Sequence, residues 1–305
     1  MIILSLSSEI EWGIRLSKYL NSQVVEIYSK TFPNGEVLSR ISNPKLIKEN
    51  DVILYIRTYP DTNNKLFLLF QTLEALNHYM SRSVTLIIPY LSYSRQDKRF
   101  LEGESLSLKL LMDILNMLRV DNLITIDVHN EESLRKYAKN IRVYVISLYD
   151  QLLQQLLKSF RGRKIDESDI ILVAPDKGRL NVVSRLAEKF SLDYIFFEKY
   201  RDRYTGRVSI NPPSNIPKVN NAIIIDDEIA TGGTIASVAK YLYDNGVKNI
   251  YALAIHLILV NNATEKLLTS GVKHIVGTNT IINPHAILEV EPYIANTIKE
   301  VRLGI

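Results

Sequence analysis

The chain has 305 residues, 46% of them hydrophobic and 23% charged, with a formal net charge of +4; this fits about two globular domains and argues against extensive disorder. It contains no cysteine, which excludes disulfides and thiolate metal sites and fits a reducing compartment. There is no basic arm, the N-terminal MIILSLSSEI lacks the positive stretch of a signal peptide, and the longest apolar run, 250–260, is well below membrane-spanning length; a soluble, cytoplasmic protein that binds neither nucleic acid nor membrane is expected.

In chain order, residues 2–6 read as a strand and 8–20 as a helix. Strands over 24–27 and 36–41 flank the loop TFPNGE. A strand over 51–56, a helix over 64–79 and a strand over 83–88 ending at Pro89 follow. The polar loop PYLSYSRQDKRFLEGE precedes a helix over about 105–118 and a strand over 123–126 that ends at Asp127. The second half opens with an amphipathic helix over 147–160, a strand over 170–174 ending at Pro175, a helix over 180–190, a strand over 194–197 and the charged loop EKYRDRYTG. A strand over 222–225, a helix to about 245, a strand over 250–257, a helix over 262–268, short strands and a final helix near 292–301 close the chain. Alternating helices and all-apolar strands predict an α/β fold built on parallel sheets. There is also an internal echo: VDNLITID (120–127) aligns with VNNAIIID (219–226), and TLIIP (85–89) with ILVAP (171–175). Two matches in the same order predict a duplicated domain. The expected division is 1–146 and 147–305, with the last helix packing back on the first domain.

The stretch NAIIIDDEIATGGT, 221–234, organises the rest. A buried strand runs into Asp226 and Asp227. The glycine pair, Gly232 and Gly233, flanked by Thr231 and Thr234, lets the backbone turn tightly and present N–H groups at the start of a helix. That is an anion cradle of phosphate size, with two carboxylates ahead of it for ribose hydroxyls or a substrate-borne metal. An acidic strand end with an ordinary glycine turn is the bland alternative.

Five further segments carry candidate chemistry. In TFPNGE, Phe32 can stack on a flat base, Asn34 and Glu36 can bond an adenine edge, and Gly35 permits a tight turn; ordinary turn chemistry stands beside this reading. In SYSRQDK, Arg95, Gln96 and Lys98 form a dense set of donors for a polyphosphate, or a solvated loop. Asp127 and His129, two apart at the carboxyl end of a strand, suit a magnesium nucleotide, or His129 is structural. Asp176, after the strand ending at Pro175, can hold magnesium or cap a helix. Lys199 and Arg201 open a long polar connection that can bring two cations onto a transition state, or form a solvated hairpin.

Taken together, FPNGE, PYLSYSRQD, DVH, PDKG, EKYR and IIIDDEIATGGT, in this order over nearly the whole chain, closely resemble the ribose-phosphate pyrophosphokinase (PRPP synthetase) family. The resemblance implies two tandem phosphoribosyltransferase-like domains, each a mainly parallel sheet flanked by helices. It implies transfer of the diphosphoryl group of ATP to the 1-hydroxyl of ribose 5-phosphate, with Mg2+, in a homodimer or higher oligomer that shares the adenine site between subunits. On that pattern Phe32, Asn34, Gly35, Glu36, Arg95, Gln96 and Asp97 would bind ATP. His129 and Asp176 would serve the metal, with Asp127 as a further candidate. Lys199 and Arg201 would act in the transition state, and Arg201, Asp226, Asp227, Ala230, Thr231, Gly232, Gly233 and Thr234 would hold ribose 5-phosphate. The sequence departs from the commonest bacterial and mammalian pattern at Asn130-Glu131-Glu132-Ser133, where a Gln-Gly-Phe-Phe element is usual, at Ala230 in place of Asp, and at Lys177 in place of a frequent His; these departures look archaeal. A phosphoribosyltransferase that consumes PRPP, a non-catalytic regulatory relative and a nucleotide-sensing RNA-binding protein are the rival readings.

Overall fold

The computed structural model describes residues 1–162, 165–201, 208–213 and 216–303; for 199–201, 208–210 and 302–303 it describes the backbone alone. Two compact units form: Met1–Ser147 with Val290–Ile305, and Leu148–Glu289.

In the first unit the strands are β1 (Ile2–Leu6), β2 (Gln23–Thr31), β3 (Val37–Ile41), β4 (Asp51–Tyr55), β5 (Ser83–Ile87), β6 (Asn122–Ile126) and β7 (Arg142–Ile146), and the helices α1 (Ile10–Leu20), α2 (Thr62–His78), α3 (Ser107–Met117) and α4 (Glu131–Ala138). Among the described residues they build one sheet in the order β3-β2-β1-β4-β5-β6-β7, parallel except for the β2–β3 hairpin. Helices cover the sheet, so central strands such as IILSL are buried at every position and, apart from Ser5 here, are apolar throughout. Along α2 the buried residues Leu66, Leu69, Leu73 and Leu76 recur every three to four positions, the spacing of one helix face.

The second unit contains α5 (Tyr149–Gly162), β8 (Ile170–Ala174), α6 (Leu180–Phe190), β9 (Asp193–Phe196), β10 (Glu198–Arg201), β11 (Val208–Asn211), β12 (Asn221–Ile229), α7 (Gly233–Asp244), β13 (Asn249–Leu257), α8 (Ala263–Thr269), β14 (Val272–Thr278) and β15 (Ala286–Leu288). Its described sheet runs β15-β14-β13-β12-β8-β9, all parallel, and β10–β11 form a separate antiparallel hairpin. The chain's last helix, α9 (Glu291–Leu303), belongs to the first unit.

Both sheets are wound alike. Each begins in the interior, places its second strand on one side, returns to the other side, and continues outward. This winding equates β1 with β8, β2 with β9, β4 with β12, β5 with β13 and β6 with β14. The sequence echo is thereby corrected in detail. It aligned β5 with β8 and β6 with β12, which are neighbouring pairs in both sheets but occupy different steps of the winding. Adjacent buried strands with polar ends share a composition whatever their order, and that is enough to align them.

Four elements are absent from the chain-order reading: α4, β7 and the hairpin strands β10 and β11, which fall in and after the stretch read as a charged loop. Helix α4, EESLRKYA, buries only Leu134 and Ala138, too few positions to set a period. Its markers are electrostatic instead, with Glu131 and Glu132 in the first turn and Arg135 and Lys136 in the last. Strand β12 also runs past its apolar core, through both acids to Ile229. The long partner β13 carries the ladder onward, with Asp226 opposite Ala254 and Glu228 opposite His256.

Candidate active site

In the second unit, β12 pairs with β8 only from Asn221 to Ile224. Beyond that point β8 has ended, and the turn after it lies beside the acids. That turn is the 3-10 segment Lys177–Arg179, capped by Asp176, whose Oδ1 accepts from the Gly178 N–H at 2.9 Å. The capping role weighed for Asp176 is thus present in the structure. Arg179 emerges from the turn and faces both carboxylates, its Nε 3.8 Å from Asp226 Oδ1 and its Nη2 3.6 Å from Asp227 Oδ2. Nη1 lies 3.5 Å from the Tyr149 hydroxyl oxygen at the start of α5. The Asp227 N–H donates to Asp226 Oδ1 at 2.9 Å.

Burial and the adjacent charge of Asp227 push the Asp226 carboxyl well above the usual carboxylate range, and Arg179 pulls in the opposite direction. Burial disfavours the charge on Arg179, but Asp227, Tyr149 and Asp226 outweigh it and raise its pKa. The three groups therefore form a largely buried charge cluster in which the cation offsets part of the repulsion between two neighbouring acids.

The cradle follows directly. Ala230 and Thr231 lead into Gly232, the N-cap of α7, which holds φ at 68°. A Cβ there would also sit 3.2 Å from Leu267 Cγ, so the conformation favours glycine and a side chain would crowd Leu267 as well. Helix α7 then starts at Gly233, with Thr234 behind it, and its first-turn amides lie at the carboxyl end of β12, where a helix terminus attracts anions. From α8, Lys266 Nζ donates to the Thr231 carbonyl at 2.9 Å, bracing the loop and adding positive charge. Lys199 and Arg201 lie on β10, where Lys199 opposes Ile210 and Arg201 opposes Val208; their side chains and residues 202–207 lie outside the described residues.

In the first unit the structure joins two of the predicted segments. Strands β5 and β6 are neighbours, so the SYSRQDK loop and IDVHN leave the same edge of the sheet. Arg95, Gln96 and Lys98 are exposed, while Asp97 is 4% exposed and points inward. Its Oδ2 accepts from Asn130 Nδ2 at 2.8 Å and from Ser133 Oγ at 3.0 Å, and Asn130 Oδ1 accepts from the Ser133 N–H at 3.1 Å as the N-cap of α4. The unusual Asn130–Ser133 stretch is thus a helix cap tied to Asp97, which braces the loop from beneath. Gln96 Oε1 accepts from Ser107 Oγ at the start of α3. His129 is exposed, and Asp127 is half-buried with φ at 32°, a conformation that costs a non-glycine residue about 1–2 kcal/mol.

Phe32, Asn34, Gly35 and Glu36 form the exposed tip of the β2–β3 hairpin. Gly35 holds φ at 87° and donates to the Phe32 carbonyl at 2.9 Å, and Asn34 Oδ1 accepts from the Glu36 N–H at 3.2 Å. The structure does not bring this tip to the SYSRQDK loop within the chain. β2 and β5 are three strands apart, about 14 Å at the usual spacing.

Among the described residues no cluster of three or more His, Cys, Asp or Glu is gathered to hold a metal, and no helix is long and apolar enough to cross a membrane. Arg179, Tyr149 and Lys266 went unnoticed in the sequence. For Arg179 a signal existed, a cation three residues past a strand-ending acid. Lys266 reaches the cradle only because α8 packs on α7.

Family models match twice: the N-terminal domain of ribose phosphate pyrophosphokinase over residues 1–118, and a phosphoribosyl synthetase-associated domain over 211–303. The ribose-phosphate pyrophosphokinase of Saccharolobus solfataricus is 38% identical over 283 residues, covering 90% of this chain and 92% of that protein. That of Sulfurisphaera tokodaii is 35% identical over 290 residues, covering 93% and 95%. The crystal structure of phosphoribosylpyrophosphate synthetase from Mycobacterium smegmatis matches with a TM-score of 0.83 at 25% identity, covering 100% of this chain and 99% of that one. The parallel units, the acid pair with its glycine cradle and these similarities converge: the chain belongs to the ribose-phosphate pyrophosphokinase family, transferases of nucleotide biosynthesis.

Proposed function

We propose that the protein transfers the diphosphoryl group of ATP to the 1-hydroxyl of ribose 5-phosphate, giving 5-phosphoribosyl 1-diphosphate and AMP. The observation that carries this reading is the pair Asp226 and Asp227, half-buried and buried, at the end of the strand that leads into the α7 cradle. Carboxylates accept from the ribose hydroxyls, and the amides of Thr231–Thr234 receive the 5-phosphate. Oxygen of the 1-hydroxyl attacks the β-phosphorus in line, the bond from that phosphorus to the AMP oxygen breaks, and the hydroxyl proton is lost. The protein's part is positioning and charge neutralisation. Arg95 and Gln96 contact the polyphosphate, while Lys199 and Arg201 add positive charge as negative charge redistributes in the transition state.

Magnesium suits this donor set. It is commonly held by one or two carboxylates together with substrate phosphates rather than by an all-protein cage, and Asp127 and His129 of the first unit and, separately, Asp176 of the second are the residues proposed for such partial ligation. When bound, it neutralises and orients the polyphosphate oxygens. Phe32, Asn34 and Glu36 serve the adenine of a second copy of the chain, since their hairpin tip lies at the other side of the sheet from the SYSRQDK loop. The smallest active species is then a dimer, and light scattering that finds only active monomer contradicts it.

The reaction is tested by incubating the protein with ATP, magnesium and ribose 5-phosphate. AMP and 5-phosphoribosyl 1-diphosphate appear together, and chelation of the metal stops both. Lys199→Ala lowers kcat by about 100- to 1000-fold with little change in the KM for ATP; matched losses in both remove Lys199 from the transition state.

A further inference from the structure

We propose that the Asp97–Asn130 pair is a positioning tie in the first unit, fixing the polyphosphate donors Arg95 and Gln96 relative to His129, with Asp97 acting through these neighbours. The inference rests on the ATP reading of this loop given above, and it assigns a role to the unusual 130–133 stretch that the reaction itself does not use.

Its basis is the chemistry of one side chain. The SYSRQDK loop and the DVHN segment leave the same edge of the sheet, where the Ile126 N–H donates to the Pro89 carbonyl at 3.2 Å. A rim loop with exposed Arg95 and Gln96 is costly to order unless something holds it. Asp97 turns the other way, into the protein, at 4% exposure. Its Oδ2 accepts from Asn130 Nδ2 at 2.8 Å and from Ser133 Oγ at 3.0 Å, and the Tyr137 hydroxyl donates to the Asp97 carbonyl at 3.2 Å. All three donors belong to α4 or its N-cap, so α4 holds the loop by side chain and backbone together. Asparagine is the residue this arrangement needs at 130. Its oxygen caps α4 by accepting from the Ser133 N–H at 3.1 Å, while its NH2 group reaches Asp97. Aspartate and serine cap a helix equally well, but aspartate has no N–H to give and serine is shorter than the bridge. Asn130 directly follows His129, as Asp97 directly follows Gln96, so one hydrogen bond sets both segments. Outer partners of this kind orient metal-ligating groups, and their loss costs about 10- to 100-fold in metal affinity or activity.

The test uses the full-length protein as wild type, Asp97→Ala, Asp97→Asn and Asn130→Ser. Calorimetry measures ATP binding with and without Mg2+, and ribose 5-phosphate binding alone; melting curves report folding. Asp97→Ala is expected to weaken ATP binding in Mg2+ about tenfold or more and to shrink the gain in ATP affinity that Mg2+ brings, while ribose 5-phosphate affinity stays within about twofold. Asp97→Asn keeps an acceptor oxygen in place and is expected to restore most of both losses. Asn130→Ser keeps the cap, gives up the tie, and is expected to weaken ATP binding several-fold. Wild-type ATP affinity with a wild-type Mg2+ gain in Asp97→Ala overturns the proposal, as does an equal loss of affinity for both substrates. If Asp97→Ala does not fold, Asn130→Ser decides: weakened ATP binding upholds the proposal and wild-type affinity overturns it. If wild type binds no ATP, the nucleotide reading fails and the tie falls with it. If wild type binds ATP but releases no AMP with ribose 5-phosphate present, the proposed reaction fails, and the calorimetry still decides the tie, with equal ATP affinity in wild type and variants as the overturning result.

Discussion

The loop after β4 and the loop after β12 stand at the same step of the two windings and do opposite things. Ile2 pairs with Val52, and Ile170 with Asn221; five residues further on lie Arg57 and Asp226. Each loop ends at a left-handed helix N-cap, Asp61 at φ 64° and Gly232 at φ 68°. In the second unit the end of β12 presents two acids and the loop after it a glycine cradle. In the first, the matching position carries a cation buried to 2% exposure. Arg57 lies 3.4 Å over the Trp12 ring and 3.6 Å from Glu291, at the start of α9, and Tyr55 donates its hydroxyl to the same carboxylate at 3.0 Å. The acid Asp61 replaces the cradle glycine and would repel a phosphate. On the proposed function one loop serves a ligand, while its counterpart ties the final helix to the unit. The hairpins differ in the same way: one follows β2 and carries Phe32, the other follows β9 and carries Lys199. A repeated backbone is neutral chemically, and the side chains at its strand ends decide what it does.

The largest test of this contrast is Glu291→Ala. It leaves Arg57 buried without its counter-charge and is expected to cost about 3–5 kcal/mol, read by urea unfolding. Replacing both partners, Arg57→Met with Glu291→Met, should recover most of that loss. A fully stable Glu291→Ala protein would mean that the first loop is no lock. A smaller effect sharpens the two N-caps. Gly232→Ala forces a side chain into a left-handed conformation at a cost of about 1–2 kcal/mol, and it should also weaken ribose 5-phosphate binding. Asp61→Gly, at the matching cap where no side-chain capping bond is present, relieves a left-handed non-glycine residue but removes the acceptors of Asn64 Nδ2, so the two effects oppose and should leave stability within a few tenths of a kcal/mol. Equal effects at the two caps would erase the distinction between cradle and tie.

Another small effect is expected at the amino end of β4. Hydrogen bonding from Arg82, helped by Ser83 and opposed by burial, holds the Asp51 carboxyl down at about 2. A depressed carboxylate contributes stability above its unfolded pKa, and that contribution is lost as pH falls through the folded value. Arg82→Ala should therefore cost no more than about 1 kcal/mol at neutral pH, since Arg82 is largely exposed. The difference from wild type should fade between about pH 4 and pH 2. A gap that persists at pH 2 would assign it to packing.

The amino-acid sequence by itself determined the parallel α/β class, most elements and the order of the chemical motifs. All-apolar runs such as Ala222–Ile225 have no stable place except between two covered faces, and a glycine pair after an acid pair has few other uses. These signals are local and survive without coordinates. The tertiary structure decided what needed distant partners. It showed Asp97 turned inward to Asn130, the acids carried within β12 by the long β13, and Arg179 brought to them because β8 ends earlier than β12. It also separated the Phe32 tip from the SYSRQDK loop and corrected the strand equivalence that the echo suggested. Strand neighbours, the ending of one ladder beside another and the depth of a charge depend on residues far apart in the chain, so no window of sequence contains them.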